Sequence, residues 1–175
     1  MKSSDRDSGI EFLGTIPWGT HFCMFYHTEK DLLDILVPYF KAGLENNEYC
    51  MWITSEPLNE IDAEKAMRAT MPDFKDYFEK RQIEIVPYTE WYIQDGVFDL
   101  DRILNSWIEK LGSALEKGFD GLRVTGNTAW LEKKVWSKFK DYEKAINVII
   151  NEYKMLSICS YALEKCEPQS INKRY

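Results

Sequence analysis

An apolar run, an amphipathic segment and a second apolar run follow one another over residues 20–56, THFCMFYHTEKDLLDILVPYFKAGLENNEYCMWITSE. This order predicts a strand, a turn, a helix and a strand, the opening βαβ unit of a nucleotide-binding α/β domain. A phosphate-binding loop would place G-x-x-x-x-G-K-[ST] at the turn, because glycine N–H groups wrap the phosphates and the lysine meets their charge. This chain has FYHTEK there, at residues 25–30. The turn therefore predicts a phosphate site that has been converted to another use.

The alternation of apolar runs and helical segments continues along the rest of the chain. Strands are predicted over residues 20–26, 49–54, 83–87, 121–125 and 155–162, and helices over 59–70, 73–80 and 134–152. Thr28 and Asp99 are predicted to cap two further helices, and an aromatic-rich loop is predicted over residues 88–98. Strands that alternate with helices form a parallel sheet with right-handed crossovers. We therefore expect an α/β fold of three layers with a mainly parallel five-stranded sheet.

Composition excludes several classes of function. The net charge of −7 argues against direct nucleic-acid binding, which needs a basic patch. Apolar runs stay short of the roughly 18 residues that a membrane-spanning helix needs. The N-terminus MKSSDRDSG lacks the apolar segment of a secretory signal, which predicts a cytoplasmic location. We expect a disordered N-terminal tail over residues 1–10, one domain over residues 11–166, and a polar tail or linker over residues 167–175.

One charged residue interrupts an apolar strand. Arg123 lies within the strand Leu122-Arg123-Val124, which helices should cover on both faces, so its charge requires a partner. Glu143 falls on the inward stripe of the last helix, and Asn147 follows one turn later. The structural interpretation is a buried Arg123–Glu143 ion pair with Asn147 hydrogen-bonded nearby. The functional interpretation is a polar floor beneath a cavity.

The cysteines and histidines give little sign of catalysis. Cys23, Cys50, Cys159 and Cys166 form no C-x-x-C pair, and we interpret the first three as small buried hydrophobic residues. His21 would share a strand face with Cys23, as two metal ligands could, but no further ligand clusters beside them in the sequence. Motifs such as G-x-S-x-G and H-E-x-x-H are absent. The expectation is therefore no enzyme activity, no cofactor and no metal ion.

A ligand site is predicted where the strands end. Open α/β sheets bind ligands beyond the carboxyl ends of their strands, and this chain places Tyr26, Trp130 and Tyr161 there. An aromatic, mildly polar rim suits a small organic molecule better than a phosphate. We expect a cavity lined by these three rings, with His21 and Arg123 deeper. The alternative is that the rings only close the top of the core.

Several motifs give the chain a family resemblance. THFCMFY, FKAGLENNEYCMWITSE, YTEWYIQDGVFDLDRI, GLRVTGNTAW, FKDYEKAIN and LSICSYALEKC occur in this order. In this combination, over roughly residues 14–166, the chain resembles the MEDS domain family, the DcmR-type sensory domains of methanogens and methylotrophs. The resemblance implies a RecA/KaiC-like P-loop NTPase fold without a Walker A motif, with the five strands in the order 3-2-4-5-1. The family's motifs map onto His21, Tyr26, Arg123, Trp130, Glu143, Asn147, Cys159 and Tyr161, which are the implied ligand-binding residues.

The resemblance also implies a function. It indicates a ligand-sensing module of a signal-transduction or transcriptional regulatory protein that binds a small organic molecule, a hydrocarbon derivative. The implied partners are that ligand, a histidine kinase or DNA-binding output domain, and a second copy of the chain, since RecA-like domains often oligomerise. Two alternatives remain open, a degenerate RecA-like enzyme and a protein–protein scaffold domain.

Overall fold

The computed structural model describes residues 5–131 and 135–165. In chain order, its strands are β1 (Asp5–Asp7), β2 (Thr15–Pro17), β3 (His21–Tyr26), β4 (Tyr49–Thr54), β5 (Ile83–Pro87), β6 (Ile93–Gln94), β7 (Val97–Phe98), β8 (Leu122–Asn127) and β9 (Met155–Ala162). The helices are α1 (Glu29–Glu45), α2 (Glu60–Thr70), α3 (Phe74–Glu79), α4 (Tyr88–Trp91), α5 (Leu100–Glu116) and α6 (Trp136–Glu152). A single 3-10 turn, Leu163–Lys165, follows β9.

Five of these strands form one parallel sheet in the order β3-β9-β8-β4-β5. In chain order these five strands are β3, β4, β5, β8 and β9, which correspond to predicted strands 1 to 5. Read from β5 to β3, the observed order is therefore the predicted 3-2-4-5-1, and the predicted topology is confirmed. Residues of α1 and α2 pack on one face of the sheet, and residues of α5 and α6 pack on the other. Both faces of β4 and β8 are therefore buried, which explains why the sequence of β4 is almost continuously apolar.

The predicted helix caps are confirmed. The backbone N–H of Asp31 donates to the Thr28 hydroxyl at 3.3 Å, and the Asp31 carboxylate accepts the backbone N–H of Thr28 at 2.9 Å. This reciprocal pair is the capping box at the start of α1. At the start of α5, Asp99 accepts the backbone N–H of Arg102 at 2.9 Å. Short polar side chains thus fix where α1 and α5 begin.

The N-terminal segment is more ordered than its composition predicts. Residues 5–10 were expected to be disordered, but β1 pairs with β2 in an antiparallel ribbon. Ser8 and Ile10 are buried, and Gly9 lies so close to the backbone carbonyl of Pro38 that a side chain would have no room there. The expectation is therefore wrong for residues 5–10. Residues 1–4 and the predicted tail over residues 167–175 lie outside the described residues.

The aromatic-rich segment over residues 88–98 contains regular structure rather than a plain loop. It forms the short helix α4 and then the antiparallel hairpin β6–β7. Asp95 and Gly96 make the two-residue turn, with φ values of 51° and 75°. Asp-Gly favours this turn because both positions need positive φ. The hairpin holds the aromatic rings of this segment against the end of the sheet.

Candidate functional site

The turn after β3 is closed to phosphate by a carboxylate of the chain itself. The backbone N–H groups of His27 and Thr28 both donate to Asp31 Oδ2 at 2.9 Å. These hydrogen bonds hold the pKa of Asp31 below its ordinary value. In a phosphate-binding loop such N–H groups would point at the nucleotide. Here an internal negative charge occupies the donors and would repel a phosphate.

This arrangement leads to a prediction about nucleotides. We expect Mg²⁺-ATP to bind this chain no better than nonspecifically, because the turn offers neither glycine N–H groups nor a P-loop lysine. Isothermal titration calorimetry of the folded chain measures this directly. Micromolar affinity for ATP, or steady release of inorganic phosphate from it, would contradict the interpretation of the turn.

Arg123 lies at the opposite end of the sheet from this turn, and its contacts stabilise the fold. It is fully buried near the start of β8, and its guanidinium lies 4.6 Å from the centre of the Tyr39 ring. All five of its N–H groups donate hydrogen bonds, at 2.5–3.2 Å, to both carboxylate oxygens of Glu48 and to the backbone carbonyls of Asp7, Ser8 and Tyr39. A guanidinium with every donor used has none left for a ligand.

The predicted Arg123–Glu143 pair is wrong, and the register of the sheet explains why. Leu122 and Val124 face α5 and α6, so Arg123 between them must face α1. Glu143 belongs to α6 and lies on the other side of the sheet. The true partner of Arg123 is Glu48, which is itself buried, and the two side chains approach to 2.5 Å.

Four of the eight predicted ligand-binding residues do meet, on the α6 face of the sheet. His21 Nε2 lies 3.2 Å from Cys159 Sγ and 3.8 Å from Glu143 Oε2. His21 Nδ1 lies 3.2 Å from Asn147 Oδ1. β3 and β9 are parallel neighbours, and α6 crosses them with Glu143 and Asn147 one turn apart. We call these four residues the His–Cys–Glu cluster.

The His–Cys–Glu cluster is largely shielded from solvent. The side chains of His21 and Glu143 keep 6% and 19% of their surface exposed, and Cys159 is buried. Burial, together with the nearby Glu143 carboxylate, raises the pKa of the Cys159 thiol. Donor atoms of His21, Glu143 and Cys159 all lie within 4.8 Å of one another, so these three residues could hold a metal ion.

Cys23 departs from its predicted environment. It lies opposite Cys159 in the register of β3 and β9, on the same face as His21, but it is exposed. The interpretation of Cys23 as a buried hydrophobic residue is therefore wrong, because β3 is an edge strand. Cys50 and Cys159 are buried, as predicted. Cys166 lies outside the described residues.

Two residues beside the cluster, Tyr92 and Gly126, were not predicted as part of the site. Gly126 is the register partner of Cys159, and a side chain at Gly126 would overlap the Tyr92 hydroxyl. Burial raises the pKa of Tyr142, whose hydroxyl accepts the Trp107 indole N–H at 2.9 Å. Gly126 in the motif GLRVTGNTAW was the available sequence signal for this contact, since a glycine inside a strand often marks a close approach by another group.

The remaining predicted residues lie toward the carboxyl ends of the strands. The Tyr26 hydroxyl donates to Asn127 Oδ1 at 2.9 Å, and the Asn127 amide donates to the Ser55 carbonyl at 3.1 Å. Tyr161 is buried, and its ring centre lies 5.7 Å from that of Phe25. These contacts tie β3, β8 and the end of β4 together.

Trp130 is the centre of an aromatic cluster. Its ring stacks on Tyr88 at 5.1 Å and on Tyr92 at 5.5 Å between centres, and meets Phe98 at 6.0 Å and Phe139 at 6.3 Å. We call these five residues the aromatic cluster. The Trp130 indole nitrogen is buried and has no hydrogen-bond partner among the described residues. Tyr92 connects the aromatic cluster to the His–Cys–Glu cluster.

A cleft of about 200 Å³ opens at the carboxyl ends of β4 and β5, where α/β sheets bind ligands. It is lined by the segment from Thr54 to Glu60 and by Pro87 and Tyr88. Because Tyr88 also stacks on Trp130, the cleft borders the aromatic cluster. The predicted cavity lies over the strands at residues 20–26, 121–125 and 155–162, which are β3, β8 and β9 in the structure. The observed cleft instead lies over β4 and β5.

Comparisons with known proteins bear on the family and the fold of this chain. Residues 20–174 match the family model described as the methanogen/methylotroph, DcmR sensory domain, MEDS. A solved structure of a KaiC-like protein from the hyperthermophilic archaeon Pyrococcus horikoshii OT3 is similar, with a TM-score of 0.63 and 20% identity over 91% of this chain and 71% of that chain. At that identity the likeness supports the fold alone. The comparison with curated proteins found no match.

Within residues 5–131 and 135–165, no helix combines the length and apolar character that crossing a bilayer requires.

Proposed function

Because the chain belongs to the MEDS family of sensory domains, we propose that it senses a small organic molecule for a signal-transduction or transcriptional regulatory protein. The ligand is a simple hydrocarbon derivative, and the output is a histidine kinase or a DNA-binding domain. Binding, without catalysis, is the event that this module reports.

The observation that carries the proposal is the buried indole N–H of Trp130 without a partner among the described residues. A buried donor left without an acceptor costs about 1–3 kcal/mol. A guest that brings one acceptor oxygen, such as a short alcohol, aldehyde or ketone, would recover that free energy. The rings around Trp130 would enclose the apolar part of the same guest.

The size of the neighbouring cleft and the occupied donors at the turn after β3 agree with a small guest. The cleft volume of about 200 Å³ is below the usual range for drug-sized ligands. At the turn after β3, the backbone donors that a nucleotide would need are occupied by Asp31. Together these features favour a compact, weakly polar molecule over a nucleotide.

Intrinsic fluorescence tests this proposal. We expect short alcohols, ketones and haloalkanes, titrated one at a time, to include one that quenches or shifts the emission saturably, because a guest beside Trp130 changes the polarity around its indole. Trp130→Phe should remove most of that change. Trp18→Phe is the matched control, because Trp18 lies beside Arg6 and outside the aromatic cluster, and it should keep the change. A response that survives in Trp130→Phe would contradict the proposed site.

A further inference from the structure

We propose that His21, Glu143 and Cys159 form a site for one transition-metal ion, preferably Zn²⁺, with a coordination position left open. This inference goes beyond ligand sensing and does not depend on it, because it rests on the geometry of the His–Cys–Glu cluster alone.

The spacing of the donor atoms fits a single ion. A tetrahedral Zn²⁺ with bonds of about 2.0–2.3 Å holds neighbouring ligand atoms roughly 3.3–3.6 Å apart. His21 Nε2 lies 3.2 Å from Cys159 Sγ and 3.8 Å from Glu143 Oε2. The donor atoms of all three residues lie within 4.8 Å of one another, which is near the spacing that one bound ion requires. Three separate elements, β3, α6 and β9, hold the donors in place, as a preorganised site requires.

Asn147 orients the imidazole for coordination. An amide oxygen only accepts hydrogen bonds, so the contact from Asn147 Oδ1 to His21 Nδ1 places the imidazole proton on Nδ1. The lone pair then lies on Nε2, which faces Cys159 and Glu143. Metal-binding histidines are commonly held by such a hydrogen bond to the other ring nitrogen.

The negative charge of Glu143 in the cluster also favours binding of a cation. Glu143 is four-fifths buried, and its Oε1 has no hydrogen-bond partner among the described residues. Within that part of the chain, the ion pairs join Glu143 to His21 and to no lysine or arginine. A carboxylate beside a buried thiol is costly to desolvate without a compensating positive charge. A bound metal ion would supply that charge to both ligands.

The ligand types select the metal. Imidazole nitrogen, thiolate sulfur and carboxylate oxygen together suit Zn²⁺, whereas Mg²⁺ and Ca²⁺ favour oxygen ligands alone. Three protein ligands leave one position of the tetrahedron for water or an exogenous ligand. The site therefore resembles an open zinc site more than a closed structural one.

Metal titration of the whole chain tests the inference. We expect the reduced, chelator-treated protein to bind one Zn²⁺ with a dissociation constant below about 1 μM, measured against a chromophoric competitor. Cys159→Ser and Glu143→Gln should each weaken binding at least about 100-fold, and Asn147→Ala about 10–100-fold. Co²⁺ should give a sulfur-to-metal charge-transfer absorption that Cys159→Ser abolishes.

Cys23→Ser is the matched control, because Cys23 is the exposed thiol opposite Cys159. It should keep the Zn²⁺ affinity and the Co²⁺ absorption, and circular dichroism identifies any variant that has lost its fold. Glu143→Gln keeps the shape of a partly exposed side chain, so it tests coordination even if Cys159→Ser unfolds. Binding weaker than about 1 μM, or an absorption lost in Cys23→Ser and kept in Cys159→Ser, would overturn the inference.

Discussion

Glu48→Gln is expected to destabilise the protein by about 3–5 kcal/mol, because the fully buried Arg123 guanidinium would lose its countercharge. Arg123→Met should cost less, because Glu48 keeps its ion pair with Arg6 at 2.8 Å. Arg123→Met and Glu48→Gln keep the approximate volume of each side chain. Chemical denaturation monitored by circular dichroism gives the free energy of unfolding for each variant.

The double variant distinguishes a true pair from two independent residues. Arg123→Met/Glu48→Gln should lose less stability than the sum of the two single losses, since the unpaired buried guanidinium that Glu48→Gln leaves behind is then absent. The exposed pair Lys30–Asp34 is the control, and Lys30→Met should leave the stability unchanged within error. Losses at Arg123 and Glu48 that are small and additive would contradict the buried pair.

Adding one methyl group at Gly43 is expected to destabilise the fold by about 1–3 kcal/mol, although alanine favours helices over glycine. A Cβ at Gly43 would lie 2.7 Å from Arg123 Cδ and Nε and 2.9 Å from Cys50 Sγ. Arg123 has no freedom to move aside, because all of its donors are engaged with Glu48 and with backbone carbonyls. The overlap therefore outweighs the gain in helix propensity.

Gly112 provides the same substitution in a different environment. It lies within α5, and a Cβ built there meets no atom within 4 Å. Gly112→Ala should therefore stabilise the protein by roughly 0.5–1 kcal/mol through helix propensity. The two Gly→Ala variants are expected to shift the unfolding midpoint in opposite directions. A stabilising Gly43→Ala would show that α1 does not pack on Arg123 as the structure has it.

The sequence predicts those parts of the fold that depend on local patterns. The apolar runs mark the five parallel strands, and Thr28 and Asp99 mark where α1 and α5 begin. The family resemblance supplies the order of the strands, which the alternation of strands and helices leaves open. The strands and the helix starts depend on contacts between residues close in sequence, or on a pattern repeated along a whole element, whereas the strand order depends on distant residues.

The predictions that fail depend on contacts between distant residues. Residues 5–10 are polar and looked disordered, but Arg123 holds the backbone carbonyls of Asp7 and Ser8 from more than 110 positions away. Periodicity placed Glu143 on the inner stripe of α6 without showing which face of the sheet α6 covers. Arg123 was therefore assigned the wrong partner, and Glu48, beside the start of β4, was overlooked.

The candidate site was predicted in part for the same reason. The family resemblance named His21, Glu143, Asn147 and Cys159, but only the pairing of β3 with β9 beneath α6 brings them within contact distance. Tyr92 reaches the site through the Asp-Gly hairpin and the space above Gly126. Neither the hairpin nor that space follows from hydrophobic periodicity.

The proposed function places a small, weakly polar molecule at the aromatic cluster, in a fold whose P-loop members hold a nucleotide. Two-dimensional ¹H–¹⁵N NMR of the whole chain tests it most directly, with a panel of short alcohols and ketones and, separately, with Mg²⁺-ATP. We expect saturable shifts of the Trp130 indole N–H and of residues around the aromatic cluster with a member of the panel, and no saturable shift at residues 27–31 with ATP. Organic-ligand shifts confined to the surface of α5, or saturable ATP shifts at the turn after β3, would contradict it.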